Sequence, residues 1–226
     1  MNKLTIYYED QDVIVCYKEA GIATQTARLG EQDMESRLKN YLAAEGQKPW
    51  IGVVHRLDQP VEGVMVFAKN PQAAASLSEQ VKQRSIGKRY YAITVSAPDE
   101  PEGTLVDYLC FNHKDNRTVI AESKTAGSKR AELSYRVLKQ AYPKALLDID
   151  LKTGRHHQIR VQLAHIGCPL VGDKKYGKLD PAGPLGLCAY RLDFEHPVTG
   201  EPLSFQIRPR GAAFEEFSEF SDNGFS

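Results

Sequence analysis

The strongest chemical feature of the sequence is an aspartate that follows a short apolar run. Val53 and Val54 are β-branched and typical of a buried strand, and Arg56 and Asp58 follow them. Pro60 has no N–H to donate to a sheet, so the strand is predicted to end at residue 57 or 58. Reactive groups are often carried at such strand ends. Asp58 is therefore a candidate for reaction chemistry, although an aspartate near a proline also commonly binds the backbone of its own turn.

Two further segments carry side chains that suit the same chemistry. Residues 88–95 alternate so that Tyr91 points into a core and Tyr90 falls on the more open face of a predicted strand. On its own, Tyr90 is most simply a half-buried strand tyrosine. Arg160 belongs to a predicted helix that ends at Gly167, and on its own it is a surface residue. A guanidinium close to a carboxylate, however, favours the ionised carboxylate and can orient it.

Four blocks, in the same order, resemble the RluA family of RNA pseudouridine synthases, and the likeness runs from residue 8 to residue 205. The blocks are H-R-L-D-x-x-x-x-G-x-x-x-x-A-K-N at 55–70, K-x-Y-x-A at 88–92, T-G-R-x-H-Q-I-R at 153–160 with its continuation to 177, and R-L-D-F-x-H-P-x-T-G-E at 191–201. The chain departs from the family at 59–62, where Gln-Pro-Val-Glu replaces the usual Arg-Asp-Thr-Ser or similar. It departs again at His156, where threonine or serine is common.

The resemblance implies a role for each matched side chain. Asp58 becomes the catalytic nucleophile, and Arg160 holds it in the ionised form. Tyr90 packs on the target uracil and is a candidate for removing its C5 proton. Arg56 fills the gap left by the flipped nucleotide or holds that nucleotide. The reaction needs no metal or organic cofactor. Further RNA contacts are expected from His55, Lys88, Lys152 and Arg155.

The order of elements predicts an α+β fold with a mostly antiparallel mixed β-sheet and flanking helices. The resemblance adds that this is the pseudouridine synthase catalytic fold, with a central active-site cleft. Predicted helices cover 33–44, from Pro71 to residue 81, the segment before Gly167, and a fraying tail from Phe214. Residues 112–130 are interpreted as a long, partly mobile insertion. Strands are predicted at 4–8, 13–17, 63–70, 88–95, 105–111, 133–138, 145–151, 187–194 and 203–207.

The chain is expected to form a single catalytic domain over residues 1–226. Related families often begin with an S4-type RNA-binding domain, and the first strand starts too early here to leave room for one. No pattern indicates self-association, so a monomer is expected.

RNA, either ribosomal or transfer RNA, is the expected partner, and no DNA partner is expected. The formal net charge is zero, so the charge has to be considered locally. Basic residues cluster beside the matched blocks, while acidic residues gather in the 99–102 loop and the tail, and such asymmetry suits phosphate binding. The clusters are Lys82/Arg84/Lys88/Arg89, Lys124/Lys129/Arg130, Lys152/Arg155 and Lys174/Lys175/Lys178.

Several other classes of function are disfavoured by the sequence. The four cysteines form no C-x-x-C pair and the six histidines form no H-E-x-x-H motif, so no metal site is predicted. The adjacent His156 and His157 are expected to point apart on a helix. The N-terminus does not read as a signal peptide, no stretch is long enough to span a bilayer, and a cytoplasmic location is expected.

Two alternatives remain open from the sequence. A glycosidase or hydrolase could use Asp58 with a second carboxylate, but no paired carboxylate motif is evident. An RNA-binding or folding-helper module could have arisen from a decayed synthase scaffold, and the unusual 59–62 linker is its only support. The joint presence of Asp58, Tyr90 and Arg160 argues against decay.

Overall fold

The structure is a computed structural model that describes residues 4–26, 31–122, 127–177 and 183–217. Contacts divide the chain into two compact units, residues 1–87 with 189–207 and residues 88–188 with 208–226. Within the described residues the elements, in chain order, are β1 (Ile6–Glu9), β2 (Val13–Lys18), α1 (Met34–Ala44), β3 (Glu62–Ala68), α2 (Pro71–Gln83), β4 (Gly87–Thr94), β5 (Glu102–Asn112), β6 (Arg117–Ala121), β7 (Lys129–Ala141), β8 (Lys144–Leu151), α3 (Gln158–His165), β9 (Leu187–Glu195), β10 (Pro202–Gln206) and a 3-10 helix (Ala212–Phe217).

The first unit is built on strands in the order β1-β2-β3-β9-β10. β2 runs antiparallel to β1 and to β3, with Val15 opposite Val66. Every residue of β2 and of β3 is buried. Strands covered on both faces are apolar along most of their length rather than alternating, and this explains the unbroken apolar runs at 13–17 and 64–68. The predicted hairpin of the first two strands is confirmed.

Both helices of the first unit begin where their sequences predict. At α1 the Asp33 side chain accepts the N–H of Ser36 at 2.7 Å, and the Ser36 hydroxyl accepts the N–H of Asp33 at 3.1 Å, which forms a capping box. At α2 the Asn70 side chain accepts the N–H of Ala73, and Pro71 occupies the first turn, where its missing N–H costs nothing. These local signals need no tertiary context, so the sequence is sufficient to place them.

The second unit is built on strands in the order β4-β8-β7-β5-β6, and the registers described within it are antiparallel. Helix α3 packs Val161 against Leu109 of β5 and Ala131 of β7, with Ile120 and Tyr176 against the same cluster. The predicted α+β class, with a mostly antiparallel sheet and flanking helices, is confirmed. No helix among the described residues is both long and apolar enough to cross a membrane.

Residues 112–130, interpreted as a long, partly mobile insertion, contain regular strand at 112, 117–121 and 129–130. Arg117–Ala121 forms strand β6, which pairs with β5 from Tyr108↔Ala121 to Asn112↔Arg117. β5 is longer than predicted mainly at its start, where Glu102, Gly103 and Thr104 pair with residues 134–136 of β7. Residues 123–126, including Lys124, lie outside the described residues, as does Lys178. The predicted terminal helix is a 3-10 helix as far as Phe217, and the rest of the tail is likewise outside them.

Candidate active site

Asp58 lies in an irregular loop and not at the end of a strand, so the prediction of a strand over 53–57 is wrong. Residues 53–58 are all described and carry no strand, and the nearest backbone pairing is an isolated bridge between Gly52 and Ala68. The reason is a side chain that replaces a strand partner. Nε2 of His55 accepts the N–H of Val66 at 3.1 Å. Because Nε2 accepts this bond, it carries no proton, and the ring is neutral in this arrangement.

The backbone on both sides of Asp58 is fixed by hydrogen bonds within the first unit. Leu57 N donates to Thr24 Oγ1 at 3.2 Å, and the Thr24 hydroxyl donates to Leu57 O at 3.0 Å. On the other side, Val61 N donates to Asp58 O at 3.0 Å and closes a turn through Pro60. Asp58 itself is half-buried. The loop therefore presents a carboxylate that is partly exposed on a backbone held at each end.

Lys18 contacts this loop, and it was not predicted from the sequence to belong to the site. The residue is 0% exposed, and its Nζ donates to the carbonyl oxygens of Glu19, Gln59 and Val61 at 3.2, 3.1 and 2.6 Å. Two of those carbonyls belong to the segment directly after Asp58. An ammonium has three donors, and the three acceptors match them. The available signal was a lysine that continues the apolar strand 13–17, where a solvated side chain is not expected.

The charges around Lys18 act in opposite directions. Burial lowers the pKa of Lys18 to about 7, whereas the carboxylates of Asp58 and Glu62 raise it. Glu62 is 4% exposed and accepts a short hydrogen bond from the Tyr17 hydroxyl. The unusual glutamate of the 59–62 linker is thus a buried acid on the same network as the candidate nucleophile.

An open pocket of about 280 Å³ adjoins the loop in the first unit. Arg56, Leu57 and Gln59 line it together with Thr24 and Gln25. The exposed Arg56 donates to Gln25 Oε1 at 2.8 Å, which directs its guanidinium along this wall. The polar side chains of Arg56 and Gln59 therefore line the pocket from either side of Asp58 in the chain.

Tyr90 lies in β4 of the second unit, opposite Ile149 of β8. The expectation that Tyr90 faces a more open side than Tyr91 is wrong, since each is 6% exposed. The alternation of the strand is real, but both of its faces are covered. A tyrosine buried to this degree carries a hydroxyl that needs a polar partner.

Arg160, in α3 of the second unit, is a buried residue and not a surface one. It is 4% exposed, and its Nε and one terminal nitrogen each donate to a different oxygen of Asp173 at 2.8 Å. Its guanidinium also lies 5.3 Å from the centre of the Tyr176 ring. Burial raises the pKa of Asp173, but the hydrogen bonds and charge of Arg160 and the N–H groups of Tyr176 and Lys175 hold it below its usual range. Sequence reasoning missed Asp173, whose only signal was its place in the G-D-x-x-Y-G continuation of the block.

The histidines before α3 do not point apart on a helix as predicted. His157 has a positive φ of 52° and precedes the first helical residue, and its ring stacks on that of His156 with centroids 3.6 Å apart. A left-handed residue breaks the helical spacing that would have separated the rings. His157 is buried and its Nδ1 lies 2.9 Å from the Tyr176 hydroxyl.

The other basic candidates differ in the contacts that they make within their own unit. Lys152 is exposed and donates to Asp150 at 2.5 Å, and Arg155 donates through Nε to the carbonyl of Arg130 at 3.0 Å. Burial lowers the pKa of Lys88. Their RNA contacts, and that of His55, stay predictions.

One group within the described ranges brings three possible metal ligands within 4.8 Å of one another, namely Asp10, Asp12 and His196. Their hydrogen bonds explain the arrangement without an ion. Asp10 accepts the N–H groups of Asp12 and Val13 at 2.7 and 2.8 Å and closes the β1–β2 hairpin. Its other oxygen lies 2.8 Å from His196 Nε2.

Comparison with known proteins defines the class of enzyme. The family model described as RNA pseudouridylate synthase matches residues 12–165. An uncharacterized RNA pseudouridine synthase of Chlorobaculum parvum is 35% identical over 89% of this chain and 69% of its own length. A ribosomal large subunit pseudouridine synthase D of Xylella fastidiosa is 36% identical over 88% of this chain and 64% of its own length. The chain thus spans about two thirds of the length of these relatives.

The fold agrees with this match. The solved structure of human RNA Pseudouridylate Synthase Domain Containing 4 superposes with a TM-score of 0.76, covering 97% of this chain and 92% of that one at 24% identity. The chain belongs to the RNA pseudouridylate synthase family, and the resemblance seen in the sequence is confirmed. Members of this class are isomerases that act on RNA.

Proposed function

We propose that this chain converts a specific uridine of a structured RNA to pseudouridine, with Asp58 as the nucleophile. The observation that carries the proposal is the fixed loop around Asp58, with the buried ammonium of Lys18 bonded to the carbonyls of Gln59 and Val61. A nucleophilic carboxylate has to be ionised and aimed. The anchored backbone supports aim, and Lys18 lies close enough to the carboxylate to interact with it electrostatically.

The proposed reaction is an isomerisation that needs no other reactant. The target nucleotide leaves its stack, and Asp58 attacks it at the ribose or at the base. The bond between the ribose C1′ and uracil N1 breaks, the uracil turns, C5 bonds to C1′, and the bond between Asp58 and the nucleotide breaks, which restores the free carboxylate. Loss of the C5 proton and protonation of N1 complete the product with the same atoms as the substrate. No step requires a metal or an organic cofactor.

Tyr90 and Arg160 of the second unit are proposed to serve the same reaction as Asp58 of the first. Tyr90 is proposed to pack on the uracil and take the C5 proton, and Arg160 to favour the ionised nucleophile. The rigid pairing of Arg160 with Asp173 supports a positioned guanidinium. In this proposal both units are needed for activity, and residues 1–226 act as one catalytic domain.

Large-subunit ribosomal RNA is proposed as the substrate to test first, because relatives that match most of this chain carry that activity in their names. Transfer RNA is the alternative substrate. Arg56, His55, Lys88, Lys152 and Arg155 are the proposed RNA contacts. The cytoplasmic location, the monomeric state and the absence of a DNA partner remain predictions from the sequence.

The test is release of tritium from C5-labelled uridine in RNA taken from cells that lack this protein. Wild type is expected to release tritium from ribosomal RNA, and Asp58→Asn and Asp58→Ala are expected to release none while still binding it. Asp12→Asn, at a half-buried aspartate in the β1–β2 turn of the same unit, is the matched control and keeps activity. Equal release by wild type and both Asp58 variants contradicts the proposal for Asp58. Binding without release by wild type favours the alternative, an RNA-binding module on a decayed scaffold.

A further inference from the structure

The tip of the β5–β6 hairpin carries aromatic and basic side chains that the proposed reaction does not use. Phe111 is 36% exposed, and His113, Arg117 and His156 are exposed as well. The ring of Phe111 meets His113 and His156 edge to face, with centroids 4.6 and 4.5 Å apart. These four residues are called the hairpin surface. They all belong to the second unit.

The His156 ring is held in a fixed orientation by the strand beside it. The Thr118 hydroxyl donates to the backbone carbonyl of His156 at 2.8 Å and lies 3.0 Å from its Nδ1. The ring also stacks on the buried His157 at an interplanar angle of 28°. A ring already ordered in this way loses little conformational entropy when a ligand stacks against it.

The support behind the hairpin surface continues into the core of the unit. The Tyr176 hydroxyl accepts the N–H of Thr118 at 2.8 Å and lies 2.9 Å from Nδ1 of His157. The guanidinium of Arg117 lies 5.2 Å from the centre of the Tyr176 ring, a cation–π contact that keeps its charge at the surface. Tyr176 thus orders both a stacked ring and a positive charge at the same place.

The charge at the hairpin tip is net positive. Lys114 and Arg117 are exposed, and Lys175 donates through Nζ to the carbonyl of Asn116 at 2.7 Å, which holds its ammonium at the turn. The one acidic side chain of the turn, Asp115, accepts a hydrogen bond from Asn112 at 2.8 Å. Planar rings beside several cations are the combination that binds single-stranded nucleic acid, with bases stacked on the rings and phosphates near the cations.

We propose that the hairpin surface binds unpaired nucleotides of the substrate RNA by stacking one base on Phe111 and another on His156, whose rings are inclined by 70°, with Arg117 and Lys114 near the phosphates. The proposal rests on the proposed function in that the RNA is the substrate of the same enzyme. It adds the kind of RNA, since a stacking surface selects single-stranded segments over duplex. It also gives a role to His156, at which this chain departs from the family.

The test is fluorescence anisotropy with fluorescein-labelled oligouridylate and the full protein. Phe111→Ala is expected to weaken binding about tenfold, and His156→Thr to weaken it by a smaller factor, because stacking on one ring is lost in each case. Phe111→Tyr keeps an aromatic face and is expected to restore the affinity. Tyr7→Ala is the matched control, since Tyr7 is 39% exposed in the first unit, and it keeps wild-type affinity.

The outcomes separate this proposal from the proposed function. Unchanged oligouridylate affinity in both Phe111→Ala and His156→Thr, or no binding by wild type, overturns the hairpin surface as an RNA site. If Phe111→Tyr loses as much oligouridylate affinity as Phe111→Ala, stacking on an aromatic ring is not the basis of binding. Tritium release under saturating RNA is measured in the same variants. If wild type releases tritium and the variants keep wild-type affinity, the proposed function stands and the RNA site does not. If the variants lose affinity but wild type releases no tritium, the RNA site is supported and the catalytic proposal is contradicted.

Discussion

The ammonium of Lys18 lies 2.6 Å from the carbonyl oxygen of Val61, three residues after the candidate nucleophile. The bond joins the end of β2 to the loop that carries Asp58. A buried ammonium with three carbonyl acceptors holds the loop and places a positive charge near its carboxylate at the same time. The position of the Asp58 loop therefore depends on a lysine at the end of β2.

Replacement of Lys18 by methionine is expected to lower both stability and turnover. The apolar side chain keeps most of the volume but removes the Lys18 donor from the buried carbonyl oxygen of Val61, at a cost of about 1–3 kcal/mol in the free energy of unfolding. Urea denaturation at neutral pH measures this change, and tritium release measures kcat. Lys39→Met is the matched control, because the exposed Lys39–Glu35 pair contributes less than about 1 kcal/mol. Equal stability of Lys18→Met and wild type would contradict the role given to Lys18.

Lys18 is also expected to make stability depend on pH above neutrality. The pKa of Lys18 is about 7 in the folded protein and about 10.4 in the unfolded chain. As the pH rises, Lys18 therefore loses its proton in the folded state first. Between these values the unfolded state binds more protons, and the free energy of unfolding rises with pH. Below pH 7 Lys18 is protonated in both states, so it no longer makes the free energy of unfolding depend on pH. Urea denaturation across about pH 7–10 is expected to show a smaller slope in Lys18→Met than in wild type. Lys39→Met keeps the wild-type slope, and parallel curves for all three proteins would contradict the assignment.

Gly63 is expected to tolerate no side chain. Its φ is +142°, and a Cβ at this position would lie 2.4 Å from the carbonyl oxygen of Ala189 on β9. Gly63→Ala therefore has to displace strand backbone in addition to straining its own, and we expect a loss of more than about 3 kcal/mol or a failure to fold. Gly21→Ala is the matched control, since Gly21 has a φ of +88° with nothing within 4 Å of a Cβ. Gly21→Ala should lower the free energy of unfolding only by the backbone strain, about 1–2 kcal/mol. Thermal unfolding of both variants decides, and similar costs would show that the approach to Ala189 is unimportant.

The sequence predicts the elements whose signals are local. The Asp33 capping box, the Asn70-Pro71 helix start and the period of β4 depend on neighbours within a few residues, and each appears in the structure. The fold class follows from the order of such elements.

The sequence fails where one distant side chain decides the outcome. Val53-Val54 resembles a strand, but His55 satisfies the N–H of Val66 that a strand would have used. Arg160 reads as a surface residue, because its partner Asp173 lies thirteen positions along the chain and no periodicity connects them. The buried position of Lys18 depends on carbonyls more than forty residues away. Pairing of this kind becomes visible only in three dimensions.

Asp173→Asn is expected to be strongly destabilising, and its effect should vanish in acid. Removing one charge from this buried pair leaves the Arg160 guanidinium without its carboxylate, at a cost of about 3–5 kcal/mol. Since the pKa of Asp173 is lowered in the folded protein, the contribution of the carboxylate is present above the unfolded pKa of about 3.9 and is lost as the pH falls through the folded value. Urea denaturation from neutral pH to about pH 3 is expected to show the wild-type and variant curves converging. Asp193→Asn, at the more exposed Arg191–Asp193 pair, is the matched control and costs less than about 1 kcal/mol. A constant gap between wild type and Asp173→Asn at every pH would mean that packing, and not the charge of Asp173, accounts for the loss.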